Sequence, residues 1–210
     1  MVIDPREADH LNVYKLLIGA VVPRPIAFVS TLSRAGIPNL APFSFFTAVS
    51  ANPPVICFCP IRRSGPDPYR SGPDPYKDTL RNIVETREFV VNIVSEEFAE
   101  KMNVTSADFP PEVDEFEASG LTPVPSDLVK PPRVAESHVH MECKLYLAIE
   151  VGELPGSGNL VLGEVVRFHV DNEYFDDFKL DPDKLRPIGR MAGATYTRTT
   201  DRFEMLRPKL

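Results

Sequence analysis

From Val139 to Val151 apolar and polar residues alternate almost without interruption. Val139, Met141, Cys143, Leu145, Leu147, Ile149 and Val151 fall on one phase. His138, His140, Glu142, Lys144, Tyr146 and Glu150 fall on the other. A period of two over this length excludes a helix and predicts one long strand, spanning Val134–Gly152, with a buried face and a wetter one. Pro155–Asn159 (PGSGN) turns the chain, and Leu160–Val170 returns as the hairpin partner. Such a hairpin has to be covered by further strands.

Four short runs qualify. Ile26–Thr31, Leu40–Phe46 and Val55–Cys59 are apolar on both faces, as expected of a buried sheet or a closed barrel, and Phe89–Val94 reads as another strand. Ser33–Gly36 has turn chemistry. Helical spacing runs up to about Val22, with Tyr14, Leu17 and Ile18 on one side, and Pro23 and Pro25 end it. Asp78 is placed to cap a helix over Thr79–Thr86 with Leu80, Ile83 and Val84 as its apolar stripe. Ser95 is placed to cap another through Asn103, with Phe98, Ala99 and Met102 facing inward. A short helical piece is expected near Pro182–Leu185. Ser106–Pro132, acidic and rich in proline, reads as surface loop. The 22 prolines in 210 residues are about twice the usual share of ~5% and favour turns over long helices. Strands and helices do not alternate as parallel units require. The pattern predicts one domain over residues 1–210, a mostly antiparallel barrel with appended helices. No GxGxxG or GxxxxGK[ST] is present, which removes the usual nucleotide-loop folds.

Charge narrows the partners. Lys plus Arg is 23 and Asp plus Glu is 30, a formal net charge of −7 with no basic cluster to outweigh it, so no nucleic-acid partner is expected. The longest apolar runs, such as Leu16–Val22, fall far short of the ~20 residues of a spanning helix, and no membrane role is expected. Asp4, Glu7 and Asp9 precede that run where a signal peptide carries Lys or Arg. Cys57, Cys59 and Cys143 cannot all pair with one another, and reduced thiols point to a cytoplasmic protein.

Three constellations can carry chemistry. Lys77 precedes the helix opening at Asp78-Thr79, where free backbone N–H groups and the helix dipole attract an anion. Arg62 and Arg63 lie just before the same loop. A plain N-cap with solvated cations gives the same pattern. Ser44 stands between Phe43 and Phe45, a hydroxyl among aromatic walls that suits a flat heterocycle or, equally, a core strand. Glu136, His138, His140 and Glu142 share a strand phase, but a wet strand face gives this pattern too, and no functional metal site is expected. No nucleophile motif surrounds any histidine, so no catalytic residue is assigned.

Five blocks carry a further signal. They are PRPIAFVSTLSRAGIPNLAPFSFFTAVSANPP, KDTLRNIVETREFVVNIV, MNVTSADFPPEVDEFEASGL, ESHVHMECKL and PIGRMAGATY. Together, from about Tyr14 to Arg207, they resemble the flavin reductase-like family with an FMN-binding split barrel. The resemblance implies a mainly β fold, a six-stranded antiparallel split β-barrel, in a homodimer with FMN near the dimer interface. It implies an oxidoreductase that moves hydride from NAD(P)H through FMN, with a flavin-dependent monooxygenase or other electron acceptor as partner. By position it implies that Arg24, Pro25, Ile26 and Thr31 line the flavin. Ser44 would meet the ring near N5 beside Phe45, Lys77 and Thr79 would hold the phosphate, and Arg190 and Tyr196 would contribute from the last block. Hydride chemistry at a flavin needs binding and orientation rather than an acid–base pair, consistent with the missing triad. Two other readings stay open: an FMN-bound electron carrier without NAD(P)H activity, and a non-catalytic barrel that binds another planar anion.

One departure from the family pattern stands out. SGPDPYR is followed at once by SGPDPYK, which offers Arg70 as a duplicate of Lys77. Only Lys77 is followed by a helix start, and it is the residue assigned. The lengthened loop is expected to cover the cofactor or to alter access for a second substrate.

Overall fold

The computed structural model describes residues 1–63, 65, 69 and 76–209. Most of the tandem stretch, Arg70 included, lies outside the described residues. Helix α1 (His10–Ala20) is capped by Asp9, which accepts from Leu11 N. There follow strands β1 (Ala27–Leu32), β2 (Pro38–Phe43), β3 (Phe46–Ala51) and β4 (Pro54–Phe58), helix α2 (Asp78–Thr86) and strand β5 (Glu88–Ile93). Helices α3 (Ala99–Val104) and α4 (Glu115–Ser119) precede the short pair β6 (Pro123–Val124) and β7 (Arg133–Val134). The long hairpin is β8 (Val139–Glu150) and β9 (Asn159–Val170), and helix α5 (Pro182–Leu185) leads to a terminal hairpin at Ile188–Arg190 and Tyr196–Arg198.

The main sheet is antiparallel in the order β2-β1-β5-β8-β9-β4-β3. Its two edge strands are consecutive in sequence, joined only by Ser44 and Phe45. Six strand spacings would separate them by about 29 Å in a flat sheet. Two intervening residues reach at most about 11 Å. The sheet therefore has to curl until its edges meet at the Ser44-Phe45 bend, where Cys59 N donates to Phe45 O (2.9 Å) and extends the β3–β4 pairing into the bend. This is a mainly β split barrel. It has seven strands in the main sheet where six were expected. The run Leu40–Phe46 is not one strand: it bends at Ser44-Phe45, and β3 begins beyond the bend.

The apolar-on-both-faces reading of the short strands has a direct cause. Ala27 and Val29 join Phe58, Phe89, Val91 and Cys143 inside the barrel, with Leu80 and Ile83 of α2 closing one end. Ile26 and Phe28, on the opposite phase, join Phe98, Met102 and Phe116 of the flanking helices in a second core. Space is tight enough that a Cβ on Gly163 of β9 would lie 2.2 Å from Phe89 Cζ, so the Phe89 ring requires a glycine there.

Three expectations need correction. Helix α2 starts one residue early: Lys77, not Asp78, is the N-cap, and Val84 of the expected stripe is exposed. Ser106–Pro132 is not all surface loop. Asp114 caps α4 by accepting from Phe116 N, Gly120 ends it at φ 65°, and Phe116 and Val129 are buried. The wet face of the long strand is wet only in its distal half. His140 and Glu142 are buried because the segment between β6 and β7 folds over them: Glu142 accepts from Asp127, Leu128 and Val129 N, and His140 Nε2 meets Val134 O (2.8 Å). Burial pushes the His140 pKa down to about 4, with the Val134 carbonyl opposing. The unfolded chain then binds the proton first, so this histidine withdraws stability as pH falls from about 6.5 towards 4. Beyond Lys144, which pairs with Glu88 at the start of β5, that strand no longer flanks β8, and Leu147, Ile149 and Val151 are exposed.

Candidate functional site

The barrel seam lies in the wall of a cleft of about 720 Å³. Tyr14 and Leu17 of α1 and Phe45 form its apolar side, with the Tyr14 and Phe45 rings 6.5 Å apart. Arg62, Arg63 and Lys77 form its cationic end. Leu154–Ser157, the turn of the long hairpin, closes the rim. Sequence proximity explains little of this. The cleft exists because the curled sheet brings the Ser44-Phe45 bend, the end of β4 and the start of α2 to one end of the barrel.

The cationic end is not uniform. Arg63 Nη1 pairs with Asp108 (2.9 Å). Arg62 is buried, with Nη2 donating to Tyr76 Oη (3.0 Å) and Glu150 Oε2 (3.2 Å), while its buried Nε has no partner among the described residues. Lys77 is half-buried. Burial lowers its pKa, Asp108 raises it again, and Arg63 lowers it. The Lys77 side chain makes no capping hydrogen bond, and the first amides of α2 open at the same end as the Lys77 ammonium.

Behind α2 lies a buried polar network that the sequence did not announce. Thr79 Oγ1 donates to Asn39 Oδ1 (2.7 Å), and Thr31 Oγ1 donates to the same atom (3.3 Å). Asn82 Nδ2 donates to Thr31 Oγ1 (3.0 Å). Asn39 Nδ2 donates to Glu115 Oε1 (2.8 Å), and Leu40 N to Glu115 Oε2 (3.0 Å). Thr31 and Thr79 thus meet each other through Asn39. A second polar cavity of about 70 Å³, lined by Asn39, Thr79 and Glu115, also touches Lys77, Arg63 and Asp108.

The other assigned residues gather around the end of α1. Arg24 is buried, with Nη1 donating to Ile18 O (2.7 Å) and Val21 O (2.6 Å) and Nη2 to Met191 O (2.9 Å). Its Nε reaches Ser44 Oγ at 3.4 Å. Arg24 therefore closes the last turn of α1 and ties it to the C-terminal segment. Pro25 is exposed and Ile26 is in the second core. Arg190 pairs its backbone with Arg24 and lays its guanidinium over the Tyr196 ring, 4.4 Å from the centroid. Tyr196 lines a separate pocket of about 350 Å³ with Glu96 and Asn103. The structure brings Phe45 and Lys77 into one cleft, with Arg24 and Ser44 bonded beside Phe45, and places Tyr196 elsewhere.

The four residues weighed as metal ligands go to different partners. Glu136 accepts from Thr122, and His138 meets Asp171 (2.9 Å) and stacks on Tyr174. Among the described residues, Asp127, Glu142 and His169 bring ligand atoms together. Glu142 spends both oxygens there on three backbone amides and His169.

The family model described as flavin reductase like domain matches residues 19–189. The chain belongs to this family. As a flavin reductase-like protein, it is a member of a flavin-binding family of oxidoreductases. An uncharacterized protein of Aquifex aeolicus is 44% identical over 194 residues, covering 92% of this chain and 93% of the relative. The crystal structure of nitrilotriacetate monooxygenase component B from Bacillus cereus superposes with a TM-score of 0.90 at 38% identity, covering 98% of both chains. Pseudomonas fluorescens 2-nitrobenzoate 2-nitroreductase superposes with a TM-score of 0.86 at 33% identity, covering 99% of this chain and 96% of the other. No helix among the described residues is long and apolar enough to cross a membrane.

Proposed function

We propose that this flavin reductase-like protein, residues 1–210 acting as one domain, is a cytoplasmic NAD(P)H-dependent reductase that binds FMN. The reading includes delivery of electrons to a separate flavin-dependent monooxygenase or another acceptor. One observation carries the cofactor choice: an aromatic and apolar wall at Tyr14, Leu17 and Phe45 runs into a cationic end where Lys77 stands beside the start of α2. A ring at one end and a phosphate at the other match that polarity. The residues fit the group. The cleft volume is in the range of ~300–1,000 Å³ usual for cofactor sites, and the unpartnered Arg62 Nε is a buried donor in its lining. The partner reading is supported by similarity to a protein named as component B of a monooxygenase.

Bound FMN would supply hydride acceptance and donation at its ring. The chain would do the rest. Lys77 and the first amides of α2 would hold the phosphate. Phe45 and Tyr14 would shield one side of the ring from water. Ser44, held by Arg24 Nε, would offer one polar contact at the ring edge.

Steady-state oxidation of NADH and of NADPH tests the activity. The expected result is oxidation that rises with added FMN and saturates. No oxidation of either nucleotide at any FMN concentration would reject the reductase reading. A homodimer is part of the reading, supported by the exposed Leu147, Ile149 and Val151 on the distal hairpin and Val49 on edge strand β3. Light scattering should return about twice the 23.4 kDa chain mass, and a monomer mass for the flavin-loaded protein would contradict this.

A further inference from the structure

We infer that Glu115 is a positioning residue for the flavin phosphate: through Asn39 it decides whether the Thr79 hydroxyl donates inward to Asn39 or outward to a phosphate at the start of α2. The inference rests on the FMN reading above and extends it to residues that touch no flavin.

With Glu115 ionised, both of its oxygens accept, one from Asn39 Nδ2 and one from Leu40 N. The Asn39 amide is thereby oriented with Oδ1 towards Thr79, and the Thr79 proton is committed to it at 2.7 Å. Only lone pairs of Thr79 are left for the cavity it lines with Lys77, and lone pairs repel a phosphate. Protonation gives Glu115 an O–H donor. Asn39 Nδ2 cannot accept it, but a half-turn of the amide can: Oδ1 then faces Glu115 and Nδ2 faces Thr79, whose hydroxyl accepts, while Thr31 keeps its bond from Asn82 and gives up its longer bond to Asn39. The Thr79 proton is released and turns into the cavity beside Lys77.

Burial pushes the Glu115 pKa up to about 7, with the Leu40 and Glu115 amides and the Asn39 side chain opposing and Asp78 adding to the rise. Protonation of Glu115 is therefore within reach near neutral pH. The charged groups around the cavity are Lys77 and Asp78 at the start of α2 and Arg63 and Asp108 across it. On α3, Lys101 turns away to Gly120 O and Glu136.

The test is fluorescence titration of FMN and of riboflavin at about pH 6 and about pH 8, one unit either side of the Glu115 midpoint. The second ionisation of a phosphate, with a pKa near 6, affects all variants alike, so the comparison with Glu115→Gln isolates the relay. Glu115→Gln, a permanently neutral side chain with a donor, should bind FMN about tenfold tighter than the parent at the higher pH, the worth of one charge-assisted hydrogen bond, and equally at the lower. Thr79→Val should weaken FMN binding at the lower pH and leave it unchanged at the higher. In the Thr79→Val background, Glu115→Gln should then have no effect. Riboflavin should bind all variants alike, which reports an intact cleft. An FMN preference with the same pH profile in parent and Glu115→Gln, or a Glu115 effect that survives Thr79→Val, would overturn the inference alone. Equal affinity for FMN and riboflavin in the parent at both pH values would overturn the FMN reading and this inference with it.

Discussion

Glu142→Ala should cost about 3–5 kcal/mol of folding stability, the usual consequence of removing one partner from a buried, charged network. Glu142 is completely buried on β8. It accepts from Asp127 N (2.8 Å), Leu128 N (2.6 Å) and Val129 N (3.1 Å), and from His169 Nε2 (2.5 Å). Burial alone raises its pKa, but the Asp127 amide, His169 and the Leu128 amide more than offset this and hold it below the ordinary carboxylate value. Alanine would leave three backbone donors without an acceptor under the segment that covers the strand. Urea unfolding of the parent and the variant measures the loss, and a change below about 1 kcal/mol would show that water replaces the carboxylate freely.

Lys77→Ala should weaken FMN binding by about 1–3 kcal/mol, or roughly 5–150-fold, and leave riboflavin binding unchanged. The ammonium is half-buried and already lowered by desolvation, so its attraction for an anion is weakly screened. Asp108 faces the same seat and already pairs with Arg63, so the residual binding of the variant is expected to rest on the α2 amides. Arg70→Ala is the control for the duplicated loop. If that change is the damaging one, the phosphate seat belongs to the first copy of the tandem sequence.

The long hairpin was legible because alternation is a local property, and Val139 to Val151 carries it with Ala148 as the one apolar residue on the polar phase. The barrel followed from short strands apolar on both faces. The seventh strand was not legible, since neither Ser44 nor Phe45 is a glycine or a proline and the bend is imposed by closure of the sheet. Helix α4 was readable in principle: Asp114 and Gly120 bracket it as cap and stop. The burial of His140 and Glu142 depends on a segment folding back over the strand, which period-two counting does not register. The site divides the same way. Lys77 followed from a cation at a helix start and Ser44 from a hydroxyl between Phe43 and Phe45, and the resemblance supplied their places against the flavin. The Glu115 network did not, because Asn39 and Glu115 are 76 residues apart and nothing in either neighbourhood points to the other.

The central claim is that the cleft seats a flavin by its phosphate, and the parent protein tests it directly. Fluorescence titration of FMN and riboflavin under identical conditions should give FMN the tighter binding by about tenfold or more, the worth of one charge-assisted contact at Lys77. Equal affinities would contradict the account, since riboflavin carries the same ring and lacks only the phosphate.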